Sequence, residues 1–216
     1  MAWRIILLLV IGYFCGSIPT GYLIGKIKNT DVRNYGSGNV GATNTMRTLG
    51  FKAGVITFLI DFFKSFIPVF IVQHVIYKGS DEALLFGMIM GLGCVIGHNY
   101  TCWLKFHGGK GISTTGGMIG AIRPILIPVF LLIFFGTLAI TKYVSFSSLV
   151  LITSFVVYIG ISQRNSKHFV LILIMALVFA ALAFFKHREN IKRLLNGTEK
   201  KIGKEMIHGS KDPKSK

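Results

Sequence analysis

Two histidines, two lysines and a run of glycines crowd into one polar stretch, Gly97 to Gly117, in the middle of an otherwise apolar chain. Within it, Gly108-Gly109-Lys110-Gly111 sets a cation beside backbone that a ligand can approach closely. Ser113 and Thr114 follow, at the start of a short small-residue segment whose N-terminal amides would face the same ligand. The chemistry that suits this arrangement is the holding of a phosphate. Nucleotide hydrolysis is disfavoured: the first glycine of G-x-x-x-x-G-K-[ST] would fall at Leu104, and Gly111 stands where Ser or Thr is needed. His98 and His107 have no third ligand at useful local spacing, so no metal and no cofactor are expected.

Three other segments carry similar chemistry. Arg33 to Arg47 contains Gly36, Gly38 and Gly41, which formally satisfy G-x-G-x-x-G, and Asp61 lies 20 residues past Gly41. A dinucleotide site needs a preceding strand and a βαβ unit; here an apolar helix precedes. What survives is a glycine-rich loop whose Asn, Thr and Arg side chains can surround an anionic oxygen, or simply a tight structured loop. Lys142 to Ser148 places Ser145 and Ser148 on one helical face, as an ordinary N-cap and first turn or as an anion-binding helix start. His187 and Asn190 are three apart in a basic segment that reads as a helix on the membrane surface. There is no G-x-S-x-G elbow, and His98-Asn99-Tyr100 lacks the acidic partner of a His-x4-Asp arrangement. A pocket built from Lys, Arg, Gly, Ser and Asn implies anionic substrates positioned by charge rather than a strong protein base.

The elements that must position these segments are membrane helices. The 216 residues are 52% hydrophobic and only 15% charged, with mean hydropathy +0.62. Apolar runs occupy 3–25, 53–77, 83–97, 111–122, 124–140, 144–161 and 169–185, giving seven spans if 111–122 crosses and six if it turns back. In the seven-span arrangement with the N-terminus outside, 18 of the 24 Lys and Arg fall in 26–52, 98–110, 142–145 and the tail from Lys186. That bias puts those segments in the cytoplasm and gathers every polar motif on one face. The expected fold is therefore an all-α integral membrane protein of seven transmembrane helices, N-terminus outside and C-terminus cytoplasmic. Its membrane domain covers 1–195, and a basic, partly disordered tail covers 196–216. The formal charge of +16 is explained by loops facing anionic lipid, so no nucleic-acid partner is expected. The three cysteines show neither metal spacing nor a disulfide framework. Asp61 and Lys64, three apart within an apolar span, need each other or a polar cavity.

Gly16–Gly21, Gly36–Arg47, Asp61–Lys64, Gly97–Gly117, Lys142–Ser148 and His187–Gly197, in that order, resemble the bacterial membrane family of acyl-phosphate:glycerol-3-phosphate acyltransferases. The resemblance extends over nearly the whole chain and implies a multi-pass enzyme of the bacterial cytoplasmic membrane; a monomer is expected. It also implies transfer of a fatty acyl group from acyl-phosphate to the 1-hydroxyl of glycerol 3-phosphate, giving lysophosphatidic acid and phosphate in phospholipid synthesis. Neither acyl-CoA nor acyl carrier protein would be the direct donor. By motif, Lys110 corresponds to the phosphate-binding lysine, in a cradle with Gly108 and Gly109. Ser37, Asn39, Thr43, Asn44 and Arg47 would line the cleft, and Ser145 and Ser148 match the family's serine pair. Lys142 replaces the usual arginine and loses its bidentate fork. His187 and Asn190 match residues placed near glycerol 3-phosphate.

On this reading Lys110, backbone amides and Ser148 stabilise negative charge on the acyl-phosphate, while Arg47, His187 and Asn190 orient the acceptor. The base is a substrate phosphate oxygen or His187. The alternative is a membrane transporter for a phosphate-bearing metabolite, which short Gly/Pro-interrupted spans and the Asp61/Lys64 pair would suit.

Overall fold

Small residues decide where the first helices meet. Gly12 and Gly16 lie one turn apart on α1 (Ala2–Gly16), and Gly93 and Gly97 do the same on α5 (Ala83–Asn99). A side chain on Gly16 would overlap the carbonyl of Cys94, and one on Gly97 the carbonyl of Tyr13. The two helices therefore touch backbone to backbone, as small-xxx-small pairs allow in lipid. The computed structural model describes residues 2–203. Among them α5 is the central helix, with 13 of its 17 residues buried.

The chain breaks after α1 at Ser17-Ile18-Pro19 and continues as α2 (Thr20–Ile27). A loop leads to α3 (Ala42–Leu49), and Gly50 turns the chain into α4 (Phe51–Ile71), which ends in a π-turn at Val72–Ile76. After α5 and the glycine loop comes α6 (Ile112–Ile122), then α7 (Leu126–Thr141), α8 (Val144–Ser162), α9 (Phe169–Lys186) and α10 (Arg188–Leu195). No strand occurs among the described residues. Five segments are long and apolar enough to cross a membrane: Ala2–Ile27, Phe51–Ile76, Ala83–Leu104, Val144–Ser162 and Phe169–Lys186. Their outward faces are apolar, as lipid requires; Leu132 on α7 and Val170 on α9 are among many exposed examples.

α6 has only 11 residues, about 16 Å of rise. Eight of them are buried, and Gly117 rests directly on the backbone of α4 at Phe62. Its last carbonyls are not left open: Gln73 Nε2 donates to the Ile122 oxygen at 3.2 Å, and His74 Nε2 bonds that of Ala121 at 2.8 Å. α6 thus starts at the glycine loop and finishes level with the far end of α4.

The end of the chain departs from expectation. Residues past Leu195 were expected to be solvated, yet the chain folds back. The amide of Ile202 donates to the Lys142 oxygen at 2.8 Å, and the side chain of Glu199 is 6% exposed. The chain therefore packs against the helices past Leu195, at least as far as Ile202. Residues 204–216, to which the expectation of disorder also applied, lie outside the described residues.

Candidate active site

The glycine loop is held from below by the last turn of α5. The amide of Gly108 donates to the Asn99 oxygen at 3.2 Å, and that of Gly109 to the His98 oxygen at 2.9 Å. These two amides are consequently spent on the protein and do not serve an anion. The donors available to a phosphate lie one step along, in the first turn of α6, whose amides have no intrahelical partner. Gly111, at φ +81°, makes the left-handed corner that aims them.

Lys110 leaves this corner and donates through Nζ to Asn190 Oδ1 on α10. Asn190 Nδ2 in turn donates to Glu199 Oε1 at 2.6 Å, and Ser145 Oγ, at the start of α8, donates to the same oxygen at 2.8 Å. Arg193 Nε meets the other carboxylate oxygen at 2.7 Å. One carboxylate thus ties α8 to α10 beside Lys110. Burial opposes the charge on Glu199, but the bonds from Asn190, Ser145 and Arg193 outweigh it and hold the carboxyl below its ordinary value. Burial pushes the Lys110 ammonium down to about 8; Glu199 opposes that shift, while Arg193, Arg47 and Lys186 add to it. Arg47, on α3, is likewise lowered by burial, and Glu199 pulls against it.

His187 caps α9 and is 3% exposed. Burial, followed by the charge of Lys110, pushes it down to about 4, so the ring is neutral at physiological pH. Its Nδ1 lies 2.8 Å from the Ala183 oxygen. A carbonyl only accepts, so Nδ1 carries the proton and Nε2 keeps a lone pair.

The other expected site residues divide. Asn39 bridges two loops, accepting the Gly41 amide at 2.9 Å and reaching the Gly108 oxygen at 3.4 Å. Asn44 is 2% exposed and fully engaged: Oδ1 accepts the Ser37 amide at 2.8 Å, and Nδ2 donates to the oxygens of Val32 and Tyr35 at 3.0 and 3.2 Å. Its role here is to shape the loop that carries Ser37, which is itself exposed. Thr43 is half-buried on the first turn of α3 and makes no side-chain hydrogen bond among the described residues. Ser148 is buried, and its hydroxyl donates back to the Val144 oxygen at 2.8 Å, so the proton is not presented to the Lys110 cluster. Lys142 is exposed at the left-handed corner between α7 and α8, contributing its carbonyl to Ile202 rather than its ammonium to the site.

Sequence reasoning missed Glu199 and Asn99. Glu199 is one of four acids among ten Lys and Arg in the tail from Lys186, and nothing in the sequence singled it out. Asn99 is fully buried beside Gly111, and neither of its amide atoms has a partner among the described residues. No group of three potential metal ligands occurs among the described residues.

The family described as glycerol-3-phosphate acyltransferase matches residues 6–197. The chain belongs to this family. The glycerol-3-phosphate acyltransferase of Staphylococcus carnosus (strain TM300) is 42% identical over 202 residues, covering 92% of this chain and 98% of that protein. That of Clostridioides difficile (strain 630) is 41% identical over 199 residues, covering 92% and 95%. The crystal structure of PlsY (YgiH), an integral membrane glycerol 3-phosphate acyltransferase, in its glycerol 3-phosphate form, superposes with TM-score 0.81 at 38% identity. It covers 92% of this chain and 96% of that one. The lysophosphatidic acid form gives 0.80 at 36% identity, covering 94% and 97%. The protein is thus a multi-pass membrane acyltransferase, and the transporter alternative is set aside.

For this acyltransferase, the three bonds of Asn44 make a direct expectation. Asn44→Ala strands two carbonyls and an amide of the Ser37 loop, so unfolding stability should fall by about 1–3 kcal/mol. KM for glycerol 3-phosphate should rise with it, as checked by thermal unfolding in detergent and steady-state kinetics.

Proposed function

We propose that the enzyme takes its acyl group from acyl-phosphate and transfers it to the 1-hydroxyl of glycerol 3-phosphate, releasing lysophosphatidic acid and inorganic phosphate. The observation that carries this reading is the convergence of Lys110, the open amides of α6, Asn190 and Ser145 on one buried place, with Arg47 and the neutral His187 nearby. Such a set holds phosphates and supplies no strong base. The hydroxyl oxygen attacks the acyl carbonyl carbon, the bond from that carbon to the phosphate oxygen breaks, and phosphate leaves. Phosphate is already a good leaving group, and its own oxygen accepts the hydroxyl proton. His187 Nε2 can accept a hydrogen bond from the hydroxyl and orient it, but a ring with so low a proton affinity is a poor final acceptor. Lys110 and the amides stabilise charge on the acyl-phosphate.

Seven crossings with a cytoplasmic active site are part of this proposal. In support, α6 ends beside Gln73 and His74 at the far end of α4, opposite the end where α4 begins at Phe51. Most Lys and Arg lie on the Phe51 side, which supports a cytoplasmic position for that side at the bacterial inner membrane. A monomer is part of the same proposal, and one chain supplies every group named. The acyl chain would lie in an apolar groove of about 420 Å³ lined by Cys15, Ile18, Leu59, Phe63 and Ile67, with Lys64 in its wall.

Purified protein given acyl-phosphate and labelled glycerol 3-phosphate in detergent should form labelled lysophosphatidic acid with matching release of phosphate. Acyl-CoA in place of acyl-phosphate should support no turnover. Equal rates with the two donors would overturn the donor assignment.

A further inference from the structure

Asp61, Lys64 and His98 form a buried polar cluster that the transfer chemistry does not use. The Lys64 side chain is 4% exposed and that of Asp61 1%. All three protons of the Lys64 ammonium have acceptors: Asp61 Oδ1 at 2.7 Å, the Ile18 oxygen at 2.9 Å and His98 Nδ1 at 2.9 Å. Thr20 Oγ1 donates to the same Asp61 oxygen at 2.8 Å. An ammonium can only donate, so His98 Nδ1 is the acceptor, and the ring is neutral with its proton on Nε2. Four helices or their connections, α1–α2, α2, α4 and α5, are thereby pinned to the orientation of one imidazole. A charge pair at this depth is costly unless saturated in this way.

The other edge of that imidazole faces the glycine loop. A methyl group built on Gly109 would overlap the ring, and its three nearest atoms are all His98 ring atoms, Nε2, Cε1 and Cδ2. The backbone of His98 takes the Gly109 amide at the same point. Gly109 is therefore seated on His98 through both side chain and main chain, and Lys110 is the next residue.

We propose that His98 is a positioning residue for the acyl transfer: its ring, anchored on Lys64, which is itself paired with Asp61, is the floor on which Gly109 rests, and so it fixes where Lys110 presents its ammonium. The inference rests on Lys110 being the phosphate-holding lysine, which Lys110→Ala tests on its own.

The test is a rescue. Gly109→Ala should lose about 100-fold or more in kcat/KM, because the added methyl lifts the loop off the ring. His98→Ala should raise KM for acyl-phosphate with a smaller change in kcat. In the double variant the methyl enters the space the ring has left, so kcat/KM should recover at least about tenfold over Gly109→Ala alone; contact-coupled pairs behave in this non-additive way. His98→Gln, whose amide oxygen can accept from Lys64, should keep more activity than His98→Ala. If Gly109→Ala alone fails to accumulate folded, recovery of folded protein in the double variant is the equivalent readout. A double variant at or below the product of the two single losses, or one that stays unfolded, overturns the proposal. So does His98→Gln performing no better than His98→Ala.

Discussion

Lys110→Ala should lower kcat/KM for glycerol 3-phosphate by about 10²–10³-fold, the usual loss when one preorganised donor to a developing charge is removed. The protein should still insert and should keep its unfolding temperature within a few degrees. Lys110 is the cation that leaves the glycine loop and reaches Asn190, and the amides of Gly108 and Gly109 are already spent on α5. Little else at that corner can replace its charge. Lys110→Arg should recover only part of the loss, since its planar fork does not fit a place shaped for an ammonium. The pH profile supplies a second check. Burial lowers the Lys110 ammonium to about 8. The cation is therefore present below that pH and lost as pH rises through it. Because kcat/KM reports the free enzyme, a basic limb is expected near pH 8, and Lys110→Arg should move it upward. His187, at about 4, is neutral above that pH, so it should produce no acid limb between pH 5 and 7. An acid limb in that range belongs to the substrate phosphate, whose second ionisation lies near pH 6. Steady-state rates from pH 5 to 9 decide the point, and a Lys110→Ala enzyme of near-normal kcat/KM would refute the role given to Lys110.

Glu199→Ala should be the most damaging change outside the glycine loop. Its carboxylate receives Asn190, Ser145 and Arg193 and is the only acid among the described residues that joins α8 to α10. Removing it strands the buried donors of Asn190 and Ser145 and frees the half-exposed Arg193, at a cost of about 1–3 kcal/mol. α10 should then detach from α8, taking Asn190 away from Lys110. The measurable results are a fall in unfolding temperature, faster proteolysis near Asn196 and loss of activity. Glu199→Gln keeps an oxygen for Ser145 and Asn190 but loses the charge facing Arg193. It should be less destabilised than Glu199→Ala. Equal stability of the two variants would show that the ion pair with Arg193, not the bonds to Ser145 and Asn190, holds the segment.

Much of this was legible in the sequence because it depends on local spacing. Hydropathy runs located the apolar segments, and the glycine-lysine run pointed to the loop proposed to hold phosphate. The three-residue spacings put Asp61 with Lys64 and His187 with Asn190. What could not be read was hydrogen-bond accounting between distant segments. Asn44 looks like a ligand residue until three backbone groups are found to use it fully. Ser148 looks like a donor until its proton is traced to Val144. Gly108 and Gly109 look like anion donors until the last turn of α5 takes their amides. Glu199 was absorbed into a basic tail because composition carries no information about which single residue folds back.

The brevity of α6 has a consequence for the energetics of meeting a lipid. In the proposed seven-span arrangement, a helix of about 16 Å that still ends level with the far end of α4 would begin well inside the slab, about 30 Å thick, that the longer helices cross. Its starting loop is therefore sunk to about the level at which an amphiphile carries its polar linkage. An acyl donor could react there without leaving its monolayer. Withdrawing a chain into water costs about 0.8 kcal/mol per methylene, so a long chain would face a penalty comparable to the chemical barrier. The water-soluble acceptor would make the descent instead, and only the smaller partner would have to change phase.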